Sequence, residues 1–160
     1  MELIKGPDLF VDSIVKIAKH LPVLVFLTGP ARGYVINELQ KNNIHYIHFY
    51  LKSFEEIANC YKALDLYLVT SREEGGPKAI AESMASGVPI VSTNVGMATD
   101  FIIPKITGLI AKKNPSSIAE NALSLYHNRN LNKILKNARK KVLFADWENV
   151  AKLHWNKVYK

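Results

Sequence analysis

Ser71-Arg-Glu-Glu-Gly-Gly-Pro-Lys-Ala-Ile-Ala-Glu82 follows the apolar run Leu66-Tyr-Leu-Val-Thr70 and leads, through Gly87, into Pro89-Ile-Val-Ser-Thr93. The two flanking runs read as buried strands, being short, apolar and β-branched. Gly76-Pro77 opens a helix with proline preset at its first position. Gly87 closes that helix and Pro89 starts the next strand. A strand, a short turn, a helix and another strand form the unit of a parallel sheet wrapped by helices.

The same unit recurs outward from this stretch. Val23 to Thr28 reads as a further buried strand, Ile44 to Phe49 alternates more loosely, and Gly108 to Ala111 is a short fifth candidate. Phe10, Ile14, Ile17 and Ala18 mark a first helix, Val35 and Leu39 a second, and Phe54, Ile57, Ala58 and Tyr61 a third. After Pro115 the strands stop. Ile118, Ala122 and Leu125 lie in one helix, Leu131, Ile134, Leu135, Ala138 and Val142 in another, and Val150, Leu153 and Val158 on the apolar side of a last. The sequence predicts one α/β domain over 1–160: a Rossmann-like parallel sheet flanked by helices within 1–112, then a helical end over 115–160.

Bulk properties set looser bounds. At 160 residues the chain has room for one ordinary domain. It is 48% hydrophobic and 22% charged, which is globular and not disordered. The net charge of +7 suits an anionic ligand, and equally a Lys-rich solvated surface. Lys133, Lys136, Arg139, Lys140 and Lys141 gather on one helix side, either as a solvated face or as a patch for the cytoplasmic face of a membrane. Cys60 is the single cysteine, so neither an intrachain disulfide nor a cysteine metal cluster is expected. Met1-Glu-Leu-Ile-Lys-Gly-Pro lacks the apolar core of a signal peptide. Pro22 to Leu27, the longest apolar run, is far short of a membrane span. A cytoplasmic setting is the expectation.

In an open parallel sheet, ligands bind beyond the carboxyl ends of the strands. Ser71 to Lys78 sits at such an end. Gly75 and Gly76 remove side chains, so a ligand can approach the backbone. The helix beyond Pro77 would then offer the free amides of Lys78, Ala79 and Ile80 and a positive dipole end, a combination suited to phosphate. Lys78 in the first turn opposes that dipole and is mildly unfavourable without an anion. Glu82 leans back toward the ligand end, as helical side chains do, where a carboxylate can accept two bonds from a ribose diol. Glu74 on the loop would hold sugar hydroxyls or balance charge at an anomeric carbon. The plainer alternative makes Glu73 and Glu74 surface carboxylates and Lys78–Glu82 an i, i+4 pair worth about 0.2–0.5 kcal/mol.

Residues 71 to 96, ending Ser-Gly-Val-Pro-Ile-Val-Ser-Thr-Asn-Val-Gly, resemble the donor-binding signature of glycosyltransferase family four, the group one enzymes of the GT-B fold. Glu74, Gly75, Glu82, Met84, Ala85, Gly87 and Pro89 all fall in place. Lys5-Gly6, Thr28-Gly29-Pro30, Tyr61 with Ala63 and Asp65, Thr107-Gly108-Leu109 and the Asp146-to-Tyr159 ending agree in order. The resemblance implies the donor-binding, C-terminal half of a retaining hexosyltransferase that takes a UDP- or GDP-linked sugar and needs no cofactor or essential metal. It places Glu82 on the ribose, Glu74 on the donor sugar, Lys5 on phosphate, and Gly75, Gly76, Pro77, Lys78 and Ala79 along the sugar and diphosphate. The carbonyl ends of Ile44 to Phe49 and the turn through Tyr50-Leu51 would flank the base, Tyr50 standing where relatives often carry glycine, and Gly29 is a further donor-binding position. His45 and His48 have no place in the pattern and read as strand residues. The expected partner is the nucleotide-sugar donor and not nucleic acid.

The resemblance also implies parts beyond this sequence. The acceptor site and a catalytic histidine come from an amino-terminal domain, so transfer by this chain alone is expected to be negligible. The arginine that pairs with Lys5 and the domain's first strand would lie upstream. In doubly wound order that strand is central, and without it Val23–Thr28 and Leu66–Thr70 lack a common neighbour. Three outcomes are open: Met1 is an internal start of a longer protein, another chain supplies the strand, or the two strands close up directly. A non-catalytic sugar-nucleotide-binding or interaction module of the same fold is the alternative function. An epimerase of that fold is a third possibility, for which the E-G-x-P-K pattern is not typical.

Overall fold

A computed structural model describes residues 3–159. Met1, on which the internal-start outcome turns, lies outside the described residues. A 3-10 turn, Leu3–Lys5, leads into α1, Pro7–Ala18. Gly6 begins that helix in the left-handed conformation (φ 61°), and Pro7 supplies a preset first helical φ. The buried face of α1 carries Leu9, Val11, Ile14 and Ile17. Ala18 is exposed, so the apolar stripe is turned from the expected one. Then follow β1 (Leu24–Thr28), α2 (Gly33–Lys41), β2 (His45–Phe49), α3 (Phe54–Lys62), β3 (Tyr67–Val69), α4 (Lys78–Ala85), β4 (Ile90–Thr93), α5 (Ala98–Phe101) and β5 (Leu109–Ala111). The end is helical: α6 (Pro115–Tyr126), α7 (Leu131–Val142), a 3-10 turn and α8 (Trp147–Val158).

The caps follow the sequence. Ser53 and Asn114 accept from the amides of Glu56 and Ser117, satisfying helix donors that otherwise have no partner. Phe54, expected on the inner stripe of α3, occupies its first position and is 92% exposed. The chain leaves α4 through Gly87 (φ 76°), with Val88 N–H bonded back to Ser83.

All strand pairs are parallel, but the strands form two sheets. In one, β1 runs beside β2 from Leu24 opposite His45 to Thr28 opposite Phe49. In the other, β4 lies between β3 and β5, with Val91 opposite both Leu68 and Leu109. Every residue of β4 is buried. No ladder joins β1 to β3, so the two strands do not close up directly. One core packs α1, α2 and α6 around Leu39 and Leu125 and draws on both sheets, with Val25 and Leu27 of β1 and Val91, Leu109 and Ala111 of β4 and β5. A second packs α4, α5 and α7 around Ile80, Met84 and Ile90. By contrast α8 buries none of its residues, and Leu153 and Val158 face solvent. No helix among the described residues is long and apolar enough to cross a membrane.

Candidate functional site

Parallel strands deliver their carboxyl ends to one edge, and there the loop after β3 is held from three sides. Thr93, at the end of β4, donates its hydroxyl to Ser71 O at 2.6 Å. Thr70 donates to Gly6 O at 3.1 Å, which seats the turn before α1 against β3. Met97 N–H donates to Gly75 O at 3.2 Å. Gly6 tolerates no side chain, because a Cβ would stand 2.1 Å from Thr70 O.

This seating carries Lys5 to Glu74, 69 positions away. Lys5 Nζ lies 2.5 Å from Glu74 Oε1, and Ser71 donates to Oε2 at 2.8 Å. The Glu74 side chain is 19% exposed and Lys5 remains 55% exposed, so the ammonium still reaches solvent. Arg72 secures the arrangement. It grips both oxygens of Asp8 (2.8 and 2.5 Å) and donates to Leu3 O at 2.9 Å, while its amide bonds Ile4 O. The paired hydrogen bonds from Arg72 hold the Asp8 carboxyl below its ordinary value of 3.8.

A carboxyl depressed in the fold stabilises above its unfolded value, and that contribution is lost as pH falls through the folded value. Wild-type protein is therefore expected to melt above an Asp8→Asn variant at pH 7. The gap should close below about pH 3.8, where Asp8 takes up a proton. Thermal melts from pH 7 to pH 2.5 measure it, and a gap independent of pH would refute the role of this pair.

Beyond Glu74 the backbone is open at Gly75, whereas a Cβ at Gly76 would stand 3.1 Å from Met97 Sδ. At Gly75 nothing lies within 4 Å of where a Cβ would be, so that position faces free space. Pro77 precedes α4 as its N-cap (φ −68°, ψ 99°) instead of filling its first turn. The reason is local: Ile80 N–H bonds Pro77 O at 3.0 Å, so Ile80 is not among the free amides. Lys78 and Ala79 N–H have no acceptor among the described residues. The Lys78 side chain is exposed, and no ion pair joins it to Glu82 among the described residues.

Glu82, one turn into α4, borders a pocket of about 420 Å³. Thr28-Gly29-Pro30 and Tyr50-Leu51 form one wall, and Tyr61 and Tyr67 form the other. The Gly29 turn (φ 77°) is braced by His48, whose Nε2 donates to Gly29 O at 2.7 Å. This fixes His48 as a strand residue with a structural partner. Tyr61 donates its hydroxyl to Glu82 Oε2 at 3.0 Å and packs edge-on to Tyr67, with centroids 5.4 Å apart. Burial raises both phenols, Tyr61 far above its ordinary range, so Tyr61 remains a donor. Cys60 lines the same pocket, and its thiol is likewise raised by burial.

The structure thus gathers the expected residues into two neighbouring groups. Lys5, Glu74, Gly75, Gly76, Pro77, Lys78 and Ala79 surround the loop, and Gly29, Tyr50 and Glu82 surround the pocket. Sequence reasoning did not single out Ser71, Tyr67, Thr93 or Gly96 as site residues. Asn94-Val-Gly96 directly after a buried strand was the available signal for the last, since such a glycine marks close backbone approach. No three His, Cys, Asp or Glu side chains gather as a metal site among the described residues.

Over residues 1–142 the sequence matches the family described as Glycosyl transferases group 1. An uncharacterized glycosyltransferase of Methanocaldococcus jannaschii is 33% identical over 135 residues, which are 82% of this chain and 37% of that protein. The chain therefore spans little more than a third of that relative's length. Sucrose-phosphate synthase from Thermosynechococcus elongatus superposes with a TM-score of 0.83 at 22% identity, over 99% of this chain and 42% of that one. Anabaena HepE in complex with UDP and glucose superposes with a TM-score of 0.78 at 17% identity, over 96% and 46%. At these identities the structural likeness speaks for the fold: an α/β Rossmann-like half of a GT-B arrangement.

Proposed function

Because the chain belongs to the group 1 glycosyl transferases, we propose that it is the donor-binding part of a retaining hexosyltransferase of family four, whose donor is a UDP- or GDP-linked sugar. The observation that carries this reading is the junction of the two groups on α4. Free amides at its start adjoin the glycine loop, and Glu82 one turn later borders the pocket of about 420 Å³. A nucleotide diphospho-sugar has the matching order of parts. Its base would enter between Gly29 and Tyr50, with the ribose diol on Glu82. The diphosphate would meet the amides of Lys78 and Ala79, and the sugar would lie on Gly75 and Gly76 beside Glu74.

The Lys5–Glu74 pair then has a chemical task. In the free protein each group compensates the other. A bound donor offers Lys5 a phosphate and Glu74 sugar hydroxyls, so both charges are already aimed where the substrate's polar groups arrive. As the anomeric bond lengthens, negative charge grows on the departing diphosphate. Lys5, Lys78 and the helix amides stabilise that charge without rearrangement. Positive charge grows on the anomeric carbon, which Glu74 offsets. An acceptor must be held against that carbon for useful rates. That task belongs to polypeptide outside this stretch, and transfer by the chain alone is expected to be negligible.

A thermal-shift screen of nucleotide diphospho-sugars tests the site and identifies the donor together. A true donor at about a hundredfold excess over its Kd should raise the Tm by roughly 5–10 °C. Flat melts across UDP- and GDP-sugars would rule the reading out.

A further inference from the structure

We propose that the outer face of α7, together with the turn that follows it, rests on a bilayer surface rich in anionic lipid. Ile134, Ala138 and Val142 form the buried side of this helix, and Ala138 and Val142 share a core with Ile80 and Met84 of α4. At about 100° per residue, Lys133, Lys136, Arg139 and Lys140 fall on the opposite side, and all four are exposed. Leu143 extends the same row and keeps helical dihedrals (φ −59°, ψ −26°).

Ordinary solvation does not account for this face. The helix contains no Asp or Glu, whereas a solvated surface intersperses both signs. None of the four cations forms an ion pair among the described residues. Cations near a helix carboxyl end gain from its dipole, which accounts for Arg139 and Lys140. Lys133 stands in the first turn, where the dipole opposes it. Helix stability selects against a cation there, and an external negative charge offsets that cost.

What lies at the end of the row narrows the partner. Leu143 is 60% exposed, Phe144 51%, and Trp147, the first residue of α8, 79%. Lys141 Nζ lies 5.6 Å over the Phe144 ring, which joins the aromatic group to the cations. The neighbouring carboxylates are engaged, Asp146 by the Glu148 amide at 2.6 Å and Glu148 by Lys152 at 2.7 Å. A row of cations ending in leucine and aromatic rings suits a lipid interface. Headgroup phosphates meet the ammonium groups, and the apolar groups enter at the acyl boundary. Nucleic acid would match the charge but leave Leu143 in water. The cationic face points away from α4, which borders the donor pocket, so attachment leaves that pocket free.

The test is co-sedimentation of the chain, without nucleotide, with vesicles of phosphatidylcholine alone or with about one third phosphatidylglycerol. The chain should pellet with the anionic vesicles and stay in solution with the neutral ones. Raising the salt from about 0.1 M to about 1 M, which shortens the screening length from about 10 Å to about 3 Å, should release it. Combining Lys133→Gln, Lys136→Gln and Lys140→Gln should lower the partition coefficient at least about thirtyfold, since each cation near such a surface contributes about fivefold. The three side chains are exposed, so this variant should melt like wild type. The chain has two tryptophans, so Trp155→Phe leaves Trp147 as the reporter, and its emission should shift to the blue on anionic vesicles. Equal pelleting of wild type and the triple variant would overturn the proposal, as would Trp147 emission unmoved by vesicles. Absence of pelleting with anionic vesicles also overturns it, and retention of a short DNA duplex in that case assigns the face to nucleic acid.

Discussion

Replacing Glu82 by alanine is expected to weaken binding of UDP, or of GDP if that is the base preferred, by ten- to a hundredfold. The carboxylate already accepts one bond, from Tyr61 at 3.0 Å. That bond occupies Oε2 and leaves Oε1 without a hydrogen-bond partner among the described residues. A ribose diol would donate two charge-assisted bonds, each worth about 1.5–3 kcal/mol before desolvation losses. Even a net 1.4–2.8 kcal/mol corresponds to the stated range. Alanine also strands the buried Tyr61 hydroxyl, costing about 1–3 kcal/mol of stability by itself. Tyr61→Phe separates the effects: it removes the hydroxyl and keeps the carboxylate, so affinity should fall only slightly. A sharper control is the 2′-deoxy nucleotide. Wild-type protein should discriminate against it, and Glu82→Ala should bind both nucleotides alike. Calorimetry showing equal affinity of wild type and Glu82→Ala for UDP and for GDP would remove Glu82 from the site.

What made this site readable was local. Glycines, a proline and carboxylates within twelve residues define a loop and a helix start. The β-branched runs around them define buried strands, because parallel strands are apolar on both faces. All five strands appear where those runs lie, trimmed by one or two residues. Contacts between distant segments carry no such trace. The resemblance set Lys5 and Glu74 on one donor, but their direct pairing is not legible in either residue, since it depends on Thr70 and Arg72 seating the first turn against β3. Tyr61 reads as a core position of α3, and only the packing of α3 beside α4 makes it the donor to Glu82. Pro77 shows the limit at finer scale. A proline before a helix fits both the cap and the first turn, and the Ile80–Pro77 bond decides between them. The divided sheet was foreseeable from doubly wound order as one of three outcomes, and β1 and β3 stay in separate sheets.

The second large effect is expected at a glycine that binds nothing itself. Gly96 lies in the turn after β4 with φ 45°. A Cβ there would stand 2.0 Å from Gly75 O and 2.3 Å from Glu74 O. These are backbone atoms, which cannot swing aside as a side chain end can. Gly96→Ala must therefore displace either the Glu74–Gly75 loop or its own turn. Each breaks the Met97–Gly75 bond and draws Glu74 away from Lys5 and Ser71. The expected cost is about 2–4 kcal/mol of stability, as for other substitutions at a strained, crowded position. Binding of the diphospho-sugar should fall well over tenfold, because the open loop and the charges around it move together. Positive φ alone does not produce that result. Gly87 has φ 76° and nothing within 4 Å of its Cβ position, so Gly87→Ala meets only the left-handed penalty of about 1–2 kcal/mol. It should destabilise modestly and leave affinity intact. Melts and calorimetry on the two variants separate crowding from conformation. If both lose stability equally and both bind the donor like wild type, the Gly96 turn does not shape the site.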